Sequence, residues 1–414
     1  MKQMERNFNW FLGLLIFSLV GNACADFAIL WHCVGKISGG SAPGSSSHFV
    51  TAFYFGQAAG AICLAPVLSV WVDRHGRRFS SILLDATYAL VLCLMLATNE
   101  VGILTPALLF PFGAITASLG ALHRGAIGYG AVKIVAEHLN LTKLVAKFNA
   151  AIFTTNLLGS LISGLLFRYF GLNGCLIIAI VTFLPMPIIY LKLFSKEDGA
   201  ANAQPAPRRK VFSEVKAGLT LITEDRRLWV NSLVVAIWNV ASNIFPAIVA
   251  ISFQKIYPGR TDYASIAVAL AILAGVFAFG PMEKVAKTLS LNRIMLYALS
   301  PAIAALVLCV FSASPFAMAL AFLLHCVGAS LVNIASGSLR VSSVPKTFVG
   351  RVNTAHSALV ACGQVFGSVA LVPVLSASIV SGAGMILAAY VLSAGLAWAL
   401  FPNISLEKAI EGTR

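Results

Sequence analysis

Charge is what this chain has least of. Only 11% of its 414 residues are Asp, Glu, Lys or Arg, against about 25% in an ordinary soluble domain. Acids are scarcer still, 15 against 29 Lys and Arg. With 59% hydrophobic residues, so little charge cannot clothe a water-facing surface, which excludes a soluble globular domain. Other absences narrow the class. There is no Walker loop, HExxH or GxSxG, and no polar stretch long enough for a catalytic domain. That argues against an enzyme and against an ATP-driven pump. No CxxC occurs, and the eight cysteines (24, 33, 63, 93, 175, 309, 326 and 362) all fall inside apolar runs. They read as small apolar residues, so neither metal nor cofactor is expected. The alternation of a membrane β-barrel is missing too.

What is present is a series of apolar runs of about 20 residues, the length a helix needs to cross a bilayer. They fall at 10–33, 48–71, 79–98, 101–122, 149–170, 173–194, 229–252, 263–282, 292–312, 316–339, 355–376 and 379–401. The first is too long and too weakly bounded for a cleaved signal peptide and reads as a retained span. Counted with the N-terminus inside, only Lys36, Arg168, Lys255 and Arg260 fall in outer loops; the other Lys and Arg fall in inner segments. Positive charge is retained in the cytoplasm, so both termini are expected there, in the inner (plasma) membrane. The net charge of +14 then reflects a basic inner face beside anionic lipid and calls for no nucleic acid.

The most specific stretch is Ser69-Val70-Trp71-Val72-Asp73-Arg74-His75-Gly76-Arg77-Arg78, between the second and third runs. It is too basic for hydrocarbon, and Gly76 suits a tight turn. Asp73-Arg74-His75-Gly76-Arg77-Arg78 resembles the signature loop of the major facilitator superfamily. The resemblance implies an all-α membrane protein, with twelve transmembrane helices in two pseudo-symmetric six-helix bundles. Residues 1–194 would form the first bundle and 228–414 the second. Between them, 195–227 reads as a cytoplasmic linker carrying an amphipathic helix near Phe212–Leu221. An internal repeat supports two halves: Val145-Ala146-Lys147-Phe148-Asn149 returns as Val349-Gly350-Arg351-Val352-Asn353, and the same displacement carries Gly159 onto Gly363 and Gly76 onto Gly280.

Thr142-Lys143-Leu144-Val145-Ala146-Lys147-Phe148-Asn149, with Leu158-Gly159-Ser160 after it, resembles the branch holding siderophore exporters, macrolide efflux pumps and the lysophospholipid transporter. So do Val344-Pro345-Lys346, Gly350-Arg351-Val352 and Glu214 to Leu219.

A charge inside a span costs roughly 2.5–3.5 kcal/mol, so it generally has a task. Asp26 and Asp85 are the two acids well inside runs. Ser18, Asn22 and Asp26 recur every four residues on the first run and read as one helical face. The resemblance implies that helices one, four, seven and ten line a central cavity, where Asp26 would carry the coupling proton or bind substrate. Asn239 and Asn243, with Trp238 beside them, form a stripe on the seventh run; His325 and Asn333 form one on the tenth. Asn156, Tyr54 and Gln57 are further candidates for the same site. The polar residues also suit plain interhelical hydrogen bonding, and the small residues at Gly56, Gly60 and Gly159 suit close helix packing. Arg124 ends the fourth run and reads first as an inner-gate partner for Asp73, second as a proton-relay group. With Asp85, Arg74, Gly76, Arg77 and Arg78 it completes the expected gating set. No arginine lies well inside a run, which favours neutral or cationic amphipathic cargo.

The expected activity is proton-coupled export of a small siderophore- or drug-like solute by alternating access, by a monomer in the bilayer. The alternatives are uptake, lysophospholipid movement, or a non-transporting scaffold or receptor.

Overall fold

In a bilayer every backbone polar group must be satisfied within the protein, and a helix does this within one segment. Every regular element among the described residues is accordingly helical. The computed structural model describes residues 2–38, 45–75, 77–124, 141–184, 211–242, 260–270, 291–311, 314–344, 348–376 and 379–400, with isolated positions between them.

Helix α1 (Lys2–Ser38) is followed by α2 (Ser45–Ala59) and α3 (Ala65–His75). A π-turn at Gly60–Leu64 joins α2 to α3, closed by the Ala65 N–H donating to the Gly60 carbonyl. Next come α4 (Arg77–Glu100) and α5 (Pro106–Leu122). The fourth apolar run was expected to be helical from residue 101. Instead 101–105 is a turn: Gly102 has a φ of 75°, and Pro106 starts the helix. Proline suits a first helical turn because its missing N–H would have no partner there.

Helix α6 (Leu141–Phe183) is two spans in one trace, broken at Gly171, whose φ of 61° is open to a residue without Cβ. Helix α7 (Val211–Glu224) covers the expected amphipathic segment, and α8 (Arg226–Ser242) follows. Residues 261–270 are helical. The chain continues through α9 (Leu291–Phe311), α10 (Pro315–Ser343), α11 (Val349–Ser376) and α12 (Ile379–Leu400).

Packing repeats across the chain. Helix α1 lies along α6, α2 against α5, and α4 against α6; later α8 lies along α11 and α12, and α9 against α10 and α12. Lipid is as apolar as leucine, so close backbone approach and hydrogen bonds, not water exclusion, hold such seams. Glycines permit the approach: a Cβ on Gly56 or Gly60 would stand 2.1 or 1.9 Å from the Phe110 or Ala114 carbonyl of α5. Large exposed apolar side chains such as Leu90, Tyr169, Phe170, Phe311 and Phe316 form the outer surface, as lipid contact requires. Among the contacts that tie the earlier helices to the later ones, the Ser69 and Thr354 hydroxyls lie 2.9 Å apart, and the Asn149 amide donates to the Asn333 carbonyl at 3.5 Å.

At the end of the molecule where α4 finishes, Arg168 meets Asp262 at 2.6 Å, and Arg260 grips the same carboxylate at 3.1 Å while lying over the Tyr263 ring. This joins α6 to the helix that begins at 261. The hydrogen-bonded Arg260 and then Arg168 hold the Asp262 carboxyl below the usual carboxylate range. A depressed folded value means the contact is fully formed above the unfolded value, about pH 4, and is lost as pH falls through the lowered one. Between pH 5 and 8 it is constant. Asp262→Asn is therefore expected to speed labelling of a cysteine placed beside Arg168 by about 2- to 5-fold, the range for a partly exposed pair worth up to ~1 kcal/mol. Wild-type labelling, divided at each pH by the rate for a free thiol so that thiolate formation cancels, is expected to stay flat across pH 5–8; a transition inside that window would contradict the assignment.

Candidate functional site

Polar side chains on several helices converge on a central cavity of about 520 Å³. On the earlier wall α1 contributes Asn22 and Asp26, α2 contributes Tyr54 and Gln57, and α5 contributes Thr116. The Gln57 amide donates to Asp26 Oδ1 at 3.3 Å. Arg124, just past α5, turns its guanidinium back along the helix: a methyl on Gly120 would meet it at 3.5 Å and the Asn22 amide at 3.7 Å. From there its charge acts on the Asp26 carboxylate. The Asn22 carbonyl accepts from Tyr88 of α4, whose hydroxyl also lies 3.0 Å from the Thr116 carbonyl, so the amide is fixed from behind.

The later wall carries Trp238 and Asn239 from α8, His325, Asn333 and Arg340 from α10, and Asn353 and His356 from α11. The Asn239 amide is spent on the Val235 carbonyl of its own helix at 2.9 Å. His325 is buried, stacked near Phe322, Trp238 and Tyr390, and hydrogen-bonded to the Tyr390 hydroxyl. Arg340 is buried as well. Its Nε donates to Asn353 Oδ1 at 3.1 Å, one terminal nitrogen donates to Ser336 Oγ at 3.0 Å, and the same nitrogen meets His356 Nε2.

Of the sequence candidates, Asp26, Asn22, Tyr54, Gln57, Asn156, Trp238, Asn239, His325, Asn333 and Arg124 all line this cavity. Ser18 does not; it is fully buried. Successive residues turn by 100°, so each step of four adds about 40°, and Ser18 stands roughly 80° round from Asp26. Asn243, Gly76 and the side chains of Asp73, Arg74, Arg77 and Arg78 lie outside the described residues, as therefore does the expected Asp73–Arg124 gate. Asp85 was expected in the gating set. It instead lies 3.0 Å from His123 Nε2, both side chains fully buried between α4 and the end of α5. Arginine, expected to be absent from the spans, reaches the cavity twice, because α10 runs on to Ser343 and Arg124 folds back over α5.

Asn149, Asn353 and His356 were not among the candidates. A signal existed for two of them: Asn149 and Asn353 close the two copies of the repeated pentad, and both line the cavity.

Comparison with known proteins gives the frame. The family model described as Major Facilitator Superfamily matches residues 10–368. No curated protein sequence matches. Among solved structures, the human organic anion transporter MFSD10 (TETRAN) superposes with a TM-score of 0.71 at 14% identity, over 95% of this chain and 99% of that one. The proton:xylose symporter XylE gives 0.66 at 14%, over 98% and 99%. A bacterial homologue of the iron transporter ferroportin gives 0.62 at 17%, over 95% and 98%. Identities this low speak for the fold alone: an all-α, multi-pass membrane protein with twelve helices.

Proposed function

This chain belongs to the major facilitator superfamily and is a secondary transporter, not an enzyme, and from that premise we propose that it exports a small organic solute in exchange for protons. The observation that carries the reading is the cavity itself: Asp26, held by Gln57 and facing Arg124, opens on the same space as Trp238, Asn333 and Arg340 from the later helices. A site shared between two sets of helices is what alternating access needs, because rocking one set against the other exposes it to either side in turn. Asp26 takes the proton. Solute and proton compete for that wall, so loading one releases the other.

The basic segments sit in the cytoplasm with both termini, and the protein works as a monomer in the inner membrane. The cargo is siderophore- or drug-like, in keeping with the motifs around Thr142–Asn149 and Val344–Val352.

The test is flux in proteoliposomes, using a catecholate siderophore, a macrolide and a lysophospholipid. With the compartment receiving solute made acidic, at least one should accumulate 10-fold or more above its level after a protonophore. Accumulation indifferent to the protonophore would remove proton coupling. No movement of any of the three would overturn the siderophore- or drug-like cargo.

A further inference from the structure

Asp85 and His123 form a titratable pair that the transport cycle above leaves unused. Both side chains are fully buried, and His123 Nε2 stands 3.0 Å from Asp85 Oδ1. Among the described residues no hydrogen-bond partner meets Asp85 Oδ2 or His123 Nδ1. A carboxylate cut off from water in this way needs a cation beside it or a proton of its own. The imidazole allows either: imidazolium beside carboxylate, or neutral ring beside carboxylic acid. Both forms hold two protons and carry no net charge. Losing one proton leaves the pair with a single negative charge.

The pair is tied to the Asp26 wall at two points. Tyr88, one turn on from Asp85 along α4, is the residue that holds the Asn22 carbonyl. Arg124 follows His123 in the chain, and its charge acts on Asp26. Asp26, Arg124 and Asp85 all act on the Tyr88 hydroxyl, so the three charges share one neighbourhood. The other helices packed on α4 are α6 and α3. Helix α6 turns Phe183 onto the Tyr88 ring, while its Lys147 reaches Asn9, its Arg168 reaches Asp262, its Cys175 thiol meets the Ser163 carbonyl, and Lys143 is exposed. Helix α3 offers the Val72 carbonyl to Ser80, and the side chains from Asp73 to Arg78 lie outside the described residues.

We infer that Asp85 and His123 are a second proton-binding site, coupled to Asp26 through Arg124, so that one site gives up a proton as the other takes one. This rests on the reading above that Asp26 takes the proton. When Asp26 is protonated, the Arg124 guanidinium loses the carboxylate it faces. The pair, by releasing one proton to water, supplies the missing negative charge through Asp85. When Asp26 releases its proton, the pair takes one back and returns to neutrality. Net charge around Arg124 is thus held constant through the cycle, which a buried cluster needs if it is to change its facing without carrying an uncompensated charge. Two acids answering one guanidinium titrate as a coupled system, and each weakens as a proton acceptor when the other is removed.

Infrared difference titration of the purified full-length protein in nanodiscs reads carboxyl protonation directly and needs no cargo. Two buried-carboxyl bands are expected, one absent from Asp26→Asn and the other absent from Asp85→Asn. Removing either acid should lower the midpoint of the other's band by about 0.7 of a pH unit or more, a 5-fold loss of proton affinity, because the remaining carboxylate then has Arg124 to itself. His123→Gln should raise the midpoint of the Asp85 band, since the group that carries the cation beside it is gone. Where Asp85→Asn does not fold, Asp85→Asn/His123→Gln, whose two amides can bond each other, carries the same expectation for Asp26. A structural pair would change the melting temperature and leave the Asp26 midpoint where it is. That unmoved midpoint, or the absence of an Asp85 band throughout the titration, overturns the second site and leaves the export reading standing. If the Asp26 band itself is absent, its role as proton carrier and this coupling fall together, while proton-driven flux in proteoliposomes judges transport separately.

Discussion

Asp26→Asn is expected to lower proton-driven accumulation at least 100-fold while leaving solute exchange across an equilibrated membrane within about 3-fold. The substitution keeps shape and hydrogen bonding, since an amide oxygen accepts from Gln57 as the carboxylate does. What it removes is the ability to take up a proton. Exchange needs only that the loaded protein change its facing. Net uphill movement needs the empty return to be tied to a proton, and a 100-fold loss corresponds to about 2.7 kcal/mol of missing coupling. Gln57→Ala should do far less, because it loosens the carboxylate without abolishing it. Paired assays of gradient-driven and exchange flux in the same liposomes check this. Retained accumulation in Asp26→Asn would move the coupling group elsewhere. Equal loss of both fluxes would make Asp26 a cargo contact instead.

The helices were legible because hydrocarbon is an unforgiving solvent: a run of twenty apolar residues has few alternatives to crossing it. The ends of the runs were less legible. Arg340 stands one residue past the expected end of the tenth run, and hydropathy does not separate a buried arginine there from one in a loop. The helix continues because Ser336, Asn353 and His356 supply what the bilayer does not. The stripe on the first helix was read one residue too far, since the drift of a four-residue repeat carries Ser18 off the face that Asn22 and Asp26 share. The Asp85–His123 contact was within reach of arithmetic. Both residues are equally distant from Leu104, in the turn between α4 and α5, and an antiparallel hairpin sets such positions side by side. Its buried carboxylate faces an imidazole on the neighbouring helix, a pairing that hydropathy does not weigh.

The helix seams give the other large effect. A Cβ on Gly363 of α11 would stand 1.9 Å from the Ala236 carbonyl of α8, and one on Gly60 would stand 1.9 Å from the Ala114 carbonyl. Neither neighbour is a side chain that can swing away. Each is backbone of a packed helix, so the helices must separate along the seam. Gly159, the repeat partner of Gly363, meets α1 in the same manner, 2.4 Å from the Ala23 methyl and 2.8 Å from the Cys24 nitrogen. Overpacking of this kind costs typically 1–3 kcal/mol for small additions and more where backbone must move. Gly363→Ala and Gly60→Ala are therefore each expected to destabilise by ~3 kcal/mol or more and to broaden the elution peak in detergent. Gly13→Ala and Gly395→Ala provide the contrast. Both lie within helices, and an added methyl there meets nothing within 4 Å. Alanine's better helix propensity should leave these two neutral or stabilised by up to ~1 kcal/mol. Thermal melts of all four in one detergent separate steric closeness from any general intolerance of substitution at glycine. If the four fall together, the seams are not set by backbone contact, and α8 and α11 pack more loosely than their carbonyl-to-glycine spacing requires.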